Sequence, residues 1–273
     1  MSREPHALDA LLTLQERPPA PNWFAACLAL GWRALLKIKH VPEQLFDVTA
    51  FPIMMTLLFS LLFGGALAGS VESYVQFLIP GILVMTVVMI TMYTALTINK
   101  DIAKGLFDRL QTLPIWQPSA LVGALLGDLV RYTIASVVVL VLGLILGFRP
   151  EGGLLGLAGG VGVVLVFAFS LSWIWTMMGL LLKTPEAVMS ISSIVSFPLT
   201  FGSNIFVDPG TMPGWLQVFV RVNPVTHATT AARSVIQGSP DLPALGITLI
   251  WSVVLVLVFG AITMYLYRTR NNR

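Results

Sequence analysis

Long apolar intervals alternate with short polar stretches along this chain of 273 residues. Six intervals free of Lys, Arg, Asp and Glu are long enough to cross a bilayer: residues 48–71, 73–99, 132–148, 152–182, 187–207 and 242–267. A helix needs roughly 20 apolar residues to cross the hydrocarbon core. Runs such as "VVVLVLGLILGF" lack the period of two that membrane strands show. The pattern therefore predicts an all-α protein with six transmembrane helices.

The third interval is short, so its helix is expected to begin upstream and to include Asp128 and Arg131 near one interface. These two residues, at positions i and i+3, favour a structural ion pair over a transport relay. A further charge-free run, 110–127, contains Pro114 and Pro118. Prolines at these positions indicate a helix end and a helix start, so no seventh span is predicted.

Two regions outside the spans have helical patterns of their own. In residues 22–40, three basic side chains follow at i, i+4 and i+7, namely Arg33, Lys37 and His40. This spacing predicts an N-terminal interfacial helix, which either only anchors the chain or also contacts a partner. Between residues 208 and 241, the segments "GWLQVFVRV" and "PVTHATTAARSVIQ" predict two short re-entrant helices in the outer leaflet.

The basic residues predict the orientation of the chain. With the N-terminus inside, twelve Lys and Arg residues lie on the cytoplasmic side and three lie outside: Arg149, Arg221 and Arg233. This asymmetry follows the positive-inside rule, so both termini are expected in the cytoplasm. No cleavable signal is expected in residues 1–21, which are polar and rich in proline. The predicted organisation is a flexible tail at 1–21, a transmembrane domain at 22–267 and a cytoplasmic tail at 268–273.

Composition agrees with the span pattern. The chain is 56% hydrophobic and 11% charged, with a mean hydropathy of +0.85. These values are typical of an integral membrane protein, and the plasma (inner) membrane is its expected location. Topology explains the excess of basic residues, so no nucleic-acid partner is expected. The single cysteine, Cys27, excludes an internal disulfide.

The sequence contains no recognisable catalytic motif. The text closest to a phosphate-binding loop, "GLLLKT" at residues 179–184, lacks the second glycine. His6, His40 and His227 lie in separate segments, so neither a metal site nor a hydrolase site is predicted. Few charges are embedded in the spans, which argues against an ion-coupled carrier.

Several segments in fixed order resemble the permease subunits of ABC-2 type exporters, in the branch similar to daunorubicin/doxorubicin-resistance permeases. They are "FPIMMTLLFSLLFGG", "FLIPGILVM", "INKDIAKGLFDRLQTLPI" and "MPGWLQVFVRVNPVTHATTAAR". The resemblance implies two permeases, as a homodimer or heterodimer, with two separate ATPase subunits that carry ATP and Mg. It also implies a non-catalytic role for this chain. The implied function is ATP-driven export of a hydrophobic small molecule, such as an antibiotic, or of a lipid. The alternatives are export of a polysaccharide or lipid-linked glycan and, less favoured, an ion-coupled carrier.

The resemblance implies that residues 101–113 form a short cytoplasmic helix that contacts the ATPase. Its apolar stripe falls at offsets 0, 4, 8 and 11 and would seat in a groove of the partner. The alternative is an interfacial loop helix whose charges are solvated. The candidate coupling residues are Asp101, Lys104, Gly105, Leu106, Asp108 and Arg109.

The resemblance also implies a substrate path between the second and fifth spans. Two rows at helical spacing are the candidates: Met85, Met89 and Met92, and Ser193, Phe197, Thr200 and Asn204. Adaptable methionines with scattered hydroxyl groups suit varied hydrophobic ligands. Equally, such methionines pack in helix interfaces, and such Ser and Thr side chains bond across helices.

Overall fold

The computed structural model describes residues 22–39, 42–105 and 119–270. These residues form helices and connecting turns, with no strand among them, which confirms the all-α prediction. The α-helices of the described residues are α1 Trp23–Lys39, α2 Pro42–Ala68, α3 Val71–Ala103, α4 Ser119–Ile145, α5 Gly153–Leu181, α6 Pro185–Phe201, α7 Gly214–Val222, α8 Pro224–Ile236 and α9 Leu242–Arg270. Helix α9 continues past residue 267, the predicted end of the transmembrane domain.

Five of these helices are long and apolar enough to cross a membrane: α2, α3, α4, α5 and α9. Helix α6 has 17 residues and ends before the predicted limit of its span at residue 207. Pro198 lies inside α6, and Gly202 caps the helix by donating its N–H to the Pro198 carbonyl at 2.9 Å. The next residues are Gly202, Ser203 and Asn204, and these residue types favour caps and turns over helix interiors. The six-span count therefore stays a prediction.

Helix α3 lies at the centre of the bundle and contacts α2, α4, α5, α6 and α8. Ser70 caps its start by accepting the Ser73 N–H at 3.1 Å. Residues along almost the whole length of α3 belong to the main hydrophobic core. A smaller apolar cluster joins α1, α3, α4, α5 and α9 at the end of the bundle predicted to face the cytoplasm.

The segment between α6 and α9 contains a 3₁₀ turn at Pro209–Thr211 and the two short helices α7 and α8. The predicted pair of short helices is therefore present in the structure. Helix α8 packs closely on α5, where glycines replace larger side chains. A Cβ atom at Gly156 would lie 2.8 Å from the Val235 carbonyl oxygen, so only glycine permits this approach.

Candidate functional site

The described part of the predicted coupling segment is the end of α3 rather than a separate helix. Asp101 lies in the last turn of α3, and the exposed Lys104 caps the helix. Gly105 follows with a φ of +65°, a conformation that glycine adopts without strain. Leu106, Asp108 and Arg109 lie outside the described residues. The predicted helix thus does not begin at Asp101, because α3 extends beyond the apolar interval.

Helix α1 packs on the first turns of α4. A Cβ atom at Gly123 would lie 3.1 Å from the Gly31 backbone nitrogen, so the two backbones approach closely. Cys27 is buried on this side of α1, and its burial raises the pKa of the thiol. Arg33 is exposed. Lys37 lies within α1 but its side chain is outside the described part of the structure, as is His40.

The methionine row of the predicted substrate path lies largely in the core. Met85 and Met92 are buried in the main hydrophobic cluster, and the partly buried Met89 packs against it. Their participation in a substrate path stays a prediction.

Three residues of the second row lie on α6, and the fourth follows the helix. Thr200 is buried and donates to the Ser196 carbonyl at 2.8 Å, and Ser193 donates to the Met189 carbonyl at 2.8 Å. Phe197 lies four residues after Ser193 and three before Thr200, so it shares their face of the helix, yet it is 52% exposed. Asn204 lies beyond α6 and is buried. The four residues therefore differ in burial, and their participation in a substrate path stays a prediction.

Phe197 is one end of a row of five phenylalanine rings, here called the aromatic ladder. Successive ring centroids lie 5.5, 4.2, 5.4 and 5.8 Å apart, in the order Phe63, Phe59, Phe206, Phe201 and Phe197. Each pair is stacked within 26° of parallel. The ladder joins α2 to α6 through the buried Phe206, and its outer rings are exposed. Sequence reasoning selected only Phe197, although the two Phe pairs at i and i+4 were visible.

Arg233 of α8 joins three parts of the bundle beside Asn204. Its Nη2 donates to the carbonyl oxygens of Phe77 and Asn204, both at 3.2 Å, and the guanidinium lies 3.9 Å from the centre of the Phe77 ring. The Asn204 amide donates to Thr230 Oγ1 at 2.9 Å. From the sequence, Arg233 was predicted only to lie on the outer side, within the second of the two short helices. Its position in an otherwise uncharged short helix was the available signal.

A buried polar network links α3, α4 and α5. Arg131 and Asp128 form the predicted ion pair within α4. Thr94 Oγ1 donates to Asp128 Oδ2 at 2.5 Å, and the Tyr132 hydroxyl lies 2.8 Å from Ser172 Oγ. Charges this deep are stabilised only when they are paired and hydrogen-bonded. The network therefore holds three helices in register.

A cavity of about 480 Å³ lies where α3, α5 and α9 end. Its lining is apolar with a few polar groups: Asn99, Ile102, Ala103, Leu180, Leu181, Leu182, Lys183, Leu266 and Thr269. Asn99 donates its amide N–H groups to the carbonyl oxygens of Leu182, at 2.6 Å, and Gly179, at 3.3 Å. This cavity is not apparent from the sequence, because its residues come from three separated segments. Within the described ranges, no group of three His, Cys, Asp or Glu residues is placed to hold a metal ion.

Comparison with known proteins gives one consistent result. A family model for the ABC-2 type transporter matches residues 25–236. The daunorubicin resistance ABC transporter permease protein DrrB1 of Streptomyces coeruleorubidus is 48% identical over 264 residues, which are 97% of this chain and 93% of that protein. The doxorubicin resistance ABC transporter permease protein DrrB of Mycobacterium tuberculosis (strain ATCC 25618 / H37Rv) is 22% identical over 229 residues, 82% of this chain and 79% of that protein.

Proposed function

Because the chain belongs to the ABC-2 type transporter family, we propose that it is the membrane-spanning, non-catalytic subunit of an ATP-driven exporter. Its cargo is a hydrophobic small molecule of the antibiotic class. The observation that carries this proposal is the 48% identity, over 97% of the chain, to a permease named for daunorubicin resistance. Two permeases form the transport unit in the plasma membrane, with both termini in the cytoplasm.

ATP and Mg bind a separate ATPase subunit in this proposal. The chain's own support for a docking surface is that α1 and the end of α3 lie at the same end of the bundle. Leu30 of α1, Ile102 of α3 and Leu121 of α4 pack in one cluster there. Arg33 and Lys104 are exposed close to that cluster in the chain. These cations can contact an acidic partner surface while the packed helices transmit its movement.

Six crossings follow if α6 and the segment after it together cross the bilayer. A helix of 17 residues is about 25 Å long, which is most of the hydrocarbon core. The buried residues 203–206 supply the remainder. Non-helical backbone at this depth is tolerated because it is enclosed by protein. Tyr74 supports this arrangement, since its hydroxyl donates to the Phe206 carbonyl at 3.0 Å.

The aromatic ladder is the proposed contact surface for the cargo. Stacked rings offer flat apolar faces, and the exposed outer members include Phe197 and Phe201, at 52% and 46%. A flat polycyclic compound gains both apolar burial and ring stacking on such a surface. Glycan export is the second candidate function, because the apolar faces of sugar rings also pack on aromatic rings such as those of the ladder.

The function is tested by co-expression with a candidate ABC ATPase subunit in a daunorubicin-sensitive host. We expect ATP-dependent efflux of daunorubicin and increased resistance. Replacement of the phosphate-binding lysine of the ATPase should abolish both, whereas the amount of permease in the membrane stays unchanged. Efflux that persists without an active ATPase would contradict the proposed mechanism. ATPase stimulation by a lipid-linked glycan, without stimulation by daunorubicin, would favour the second candidate.

A further inference from the structure

The geometry points to a phospholipid site in the cavity where α3, α5 and α9 end. The occupant is a bilayer phospholipid whose headgroup carries a hydrogen-bond donor, such as phosphatidylethanolamine. The volume of about 480 Å³ accommodates a headgroup with its glycerol and the start of an acyl chain. We call this site the headgroup cavity. It is separate from the aromatic ladder, and its occupation does not depend on which cargo the protein exports.

The first support is an unpartnered acceptor. Asn99 is 3% exposed, and its Oδ1 atom has no hydrogen-bond partner. Its amide orientation is determined, because Nδ2 donates to the carbonyls of Gly179 and Leu182. A flipped amide would place its oxygen against both carbonyls and lose both bonds. A buried acceptor without a donor destabilises the protein, so a ligand that donates a hydrogen bond here would be stabilised.

The second support is a cationic side chain that also lines the cavity. Lys183 lines the cavity directly after Leu182, whose carbonyl accepts the Asn99 amide. Its side chain is exposed, and it forms no ion pair with the residues that the structure describes. With its phosphate group beside Lys183, the lipid would place its ethanolamine ammonium, the only N–H donor of the headgroup, in the cavity that Asn99 also lines. Lysine is a common phosphate ligand.

The third support is access from the bilayer. Leu181 lines the cavity and is 51% exposed, so an apolar part of the lining reaches the surface of the bundle. Leu266 of α9 and Ile102 of α3 supply further apolar walls. An acyl chain can lie against these side chains while its headgroup stays at the interface. This division between polar and apolar lining fits a lipid better than a wholly polar metabolite.

The choice of headgroup provides the test. Phosphatidylethanolamine and phosphatidylcholine share the phosphate and the acyl chains, but the trimethylammonium of phosphatidylcholine has no N–H donor. The purified full-length permease would be mixed with equal amounts of both lipids, and bound lipid counted by native mass spectrometry. We expect preferential retention of one phosphatidylethanolamine per permease chain, by about tenfold, the usual effect of one charge-assisted hydrogen bond. Equal retention would overturn the assignment.

Substitutions then separate the two polar contacts. Asn99→Ala should abolish the preference between the lipids, but it also removes two interhelical hydrogen bonds. Lys183→Gln changes only an exposed side chain and should lower the retention of both lipids about equally. Arg268→Gln is the matched control, since Arg268 is an exposed cation on α9 that does not line the cavity. If Arg268→Gln lowers retention as much as Lys183→Gln, general surface charge explains the binding and the site is wrong.

A final comparison distinguishes a bilayer lipid from a soluble compound with the same headgroup. Glycerophosphoethanolamine carries the phosphate and the ammonium group but no acyl chain. We expect it to compete with phosphatidylethanolamine at least about a hundredfold less well, because it buries none of the apolar wall. Leu181→Trp, which enlarges a side chain of the apolar lining, should reduce lipid retention. Equal competition by the soluble compound, or unchanged retention in Leu181→Trp, would contradict a lipid occupant.

Discussion

Helices α3 and α9 resemble each other in sequence but occupy opposite environments. Both are long apolar helices, and α9 is the more apolar of the two. Yet 83% of the most apolar stretch of α3 is buried within the protein, against 17% for α9. Hydrophobicity alone therefore indicates that a helix enters the bilayer. It does not indicate whether protein or lipid surrounds that helix, since lipid tails are as apolar as leucine.

The two helices differ in what their small and polar residues contact. A Cβ atom at Gly81 of α3 would lie 2.6 Å from the Ile205 carbonyl oxygen, whereas one at Gly246 of α9 meets nothing within 4 Å. Thr91 of α3 accepts the Trp175 indole N–H at 2.7 Å, and Thr94 contributes to the buried polar network. Helix association in a membrane depends on such close approach and on hydrogen bonds. These features make α3 the central helix.

The same substitution in the two helices should have effects of opposite sign. Gly81→Ala forces α3 away from Ile205 and should destabilise the protein by about 1–3 kcal/mol. Gly246→Ala has open space around it and should stabilise α9 by up to about 1 kcal/mol, through helix propensity. Thermal unfolding of the detergent-purified variants, followed by tryptophan fluorescence, measures both. Equal unfolding temperatures for the two variants would contradict the difference between the helices.

Removal of a threonine hydroxyl should also cost more in α3 than in α9. Thr94→Val leaves Asp128 without one of its hydrogen bonds and should lower the free energy of unfolding by about 1–3 kcal/mol. Thr263→Val in α9 loses only a contact of 3.5 Å to the Trp173 carbonyl and should cost less than about 0.5 kcal/mol. The same unfolding assay applies. A larger loss in Thr263→Val would show that the polar network does not stabilise the bundle.

Exposed apolar residues should divide into those that contact cargo and those that contact lipid. Phe201→Ala removes an aromatic-ladder ring and should lower the apparent affinity for daunorubicin about two- to tenfold. Leu257→Ala changes a residue of α9 that is 66% exposed and should leave transport unchanged. Efflux assays at several drug concentrations, normalised to membrane expression, measure this. Equal effects of the two substitutions would show that the aromatic ladder does not contact the cargo.

The smallest expected effect concerns the buried side of α1. Burial raises the pKa of the Cys27 thiol, so less thiolate is present at pH 8 than at an exposed cysteine. Maleimide labelling should be slow at pH 8 and rise about tenfold per pH unit below that pKa. The control is Tyr265→Cys in a Cys27→Ser background, because Tyr265 is 69% exposed near the end of α9. Equally fast labelling of both thiols would show that α1 does not pack on α4.

The positions of most helices along the chain could be predicted from the sequence. Apolar intervals identified all five long helices, and prolines separated the short helices α7 and α8. The ordered segments identified the family, which the comparisons confirm. The end of α6 was predicted incorrectly, because an apolar interval does not reveal where backbone hydrogen bonding stops. Gly202 ends that helix six residues before the first charge, Asp208.

The candidate sites were less predictable. Helical spacing placed Met85 and Phe197 on regular rows, but spacing on one helix does not say what lies opposite. Packing buries Met85 in the core and exposes Phe197 at one end of the aromatic ladder. Asn99 shows the same limit. Its amide donors and its unpartnered oxygen acquire meaning only beside Gly179 and Leu182, which are about 80 residues away in sequence.

The amino-acid sequence by itself determined that this chain enters a bilayer, where the five long helices of the described residues lie and which transporter family the chain resembles. Those properties depend on local apolar content, charge and short segments in order, all of which are encoded within a few turns of helix. Only the tertiary structure decided that α3 is central, that five phenylalanines from three segments stack, and that a cavity with a free acceptor lies beside Lys183. These features arise from side chains distant in sequence, because packing and hydrogen-bond partners exist only once the helices have assembled.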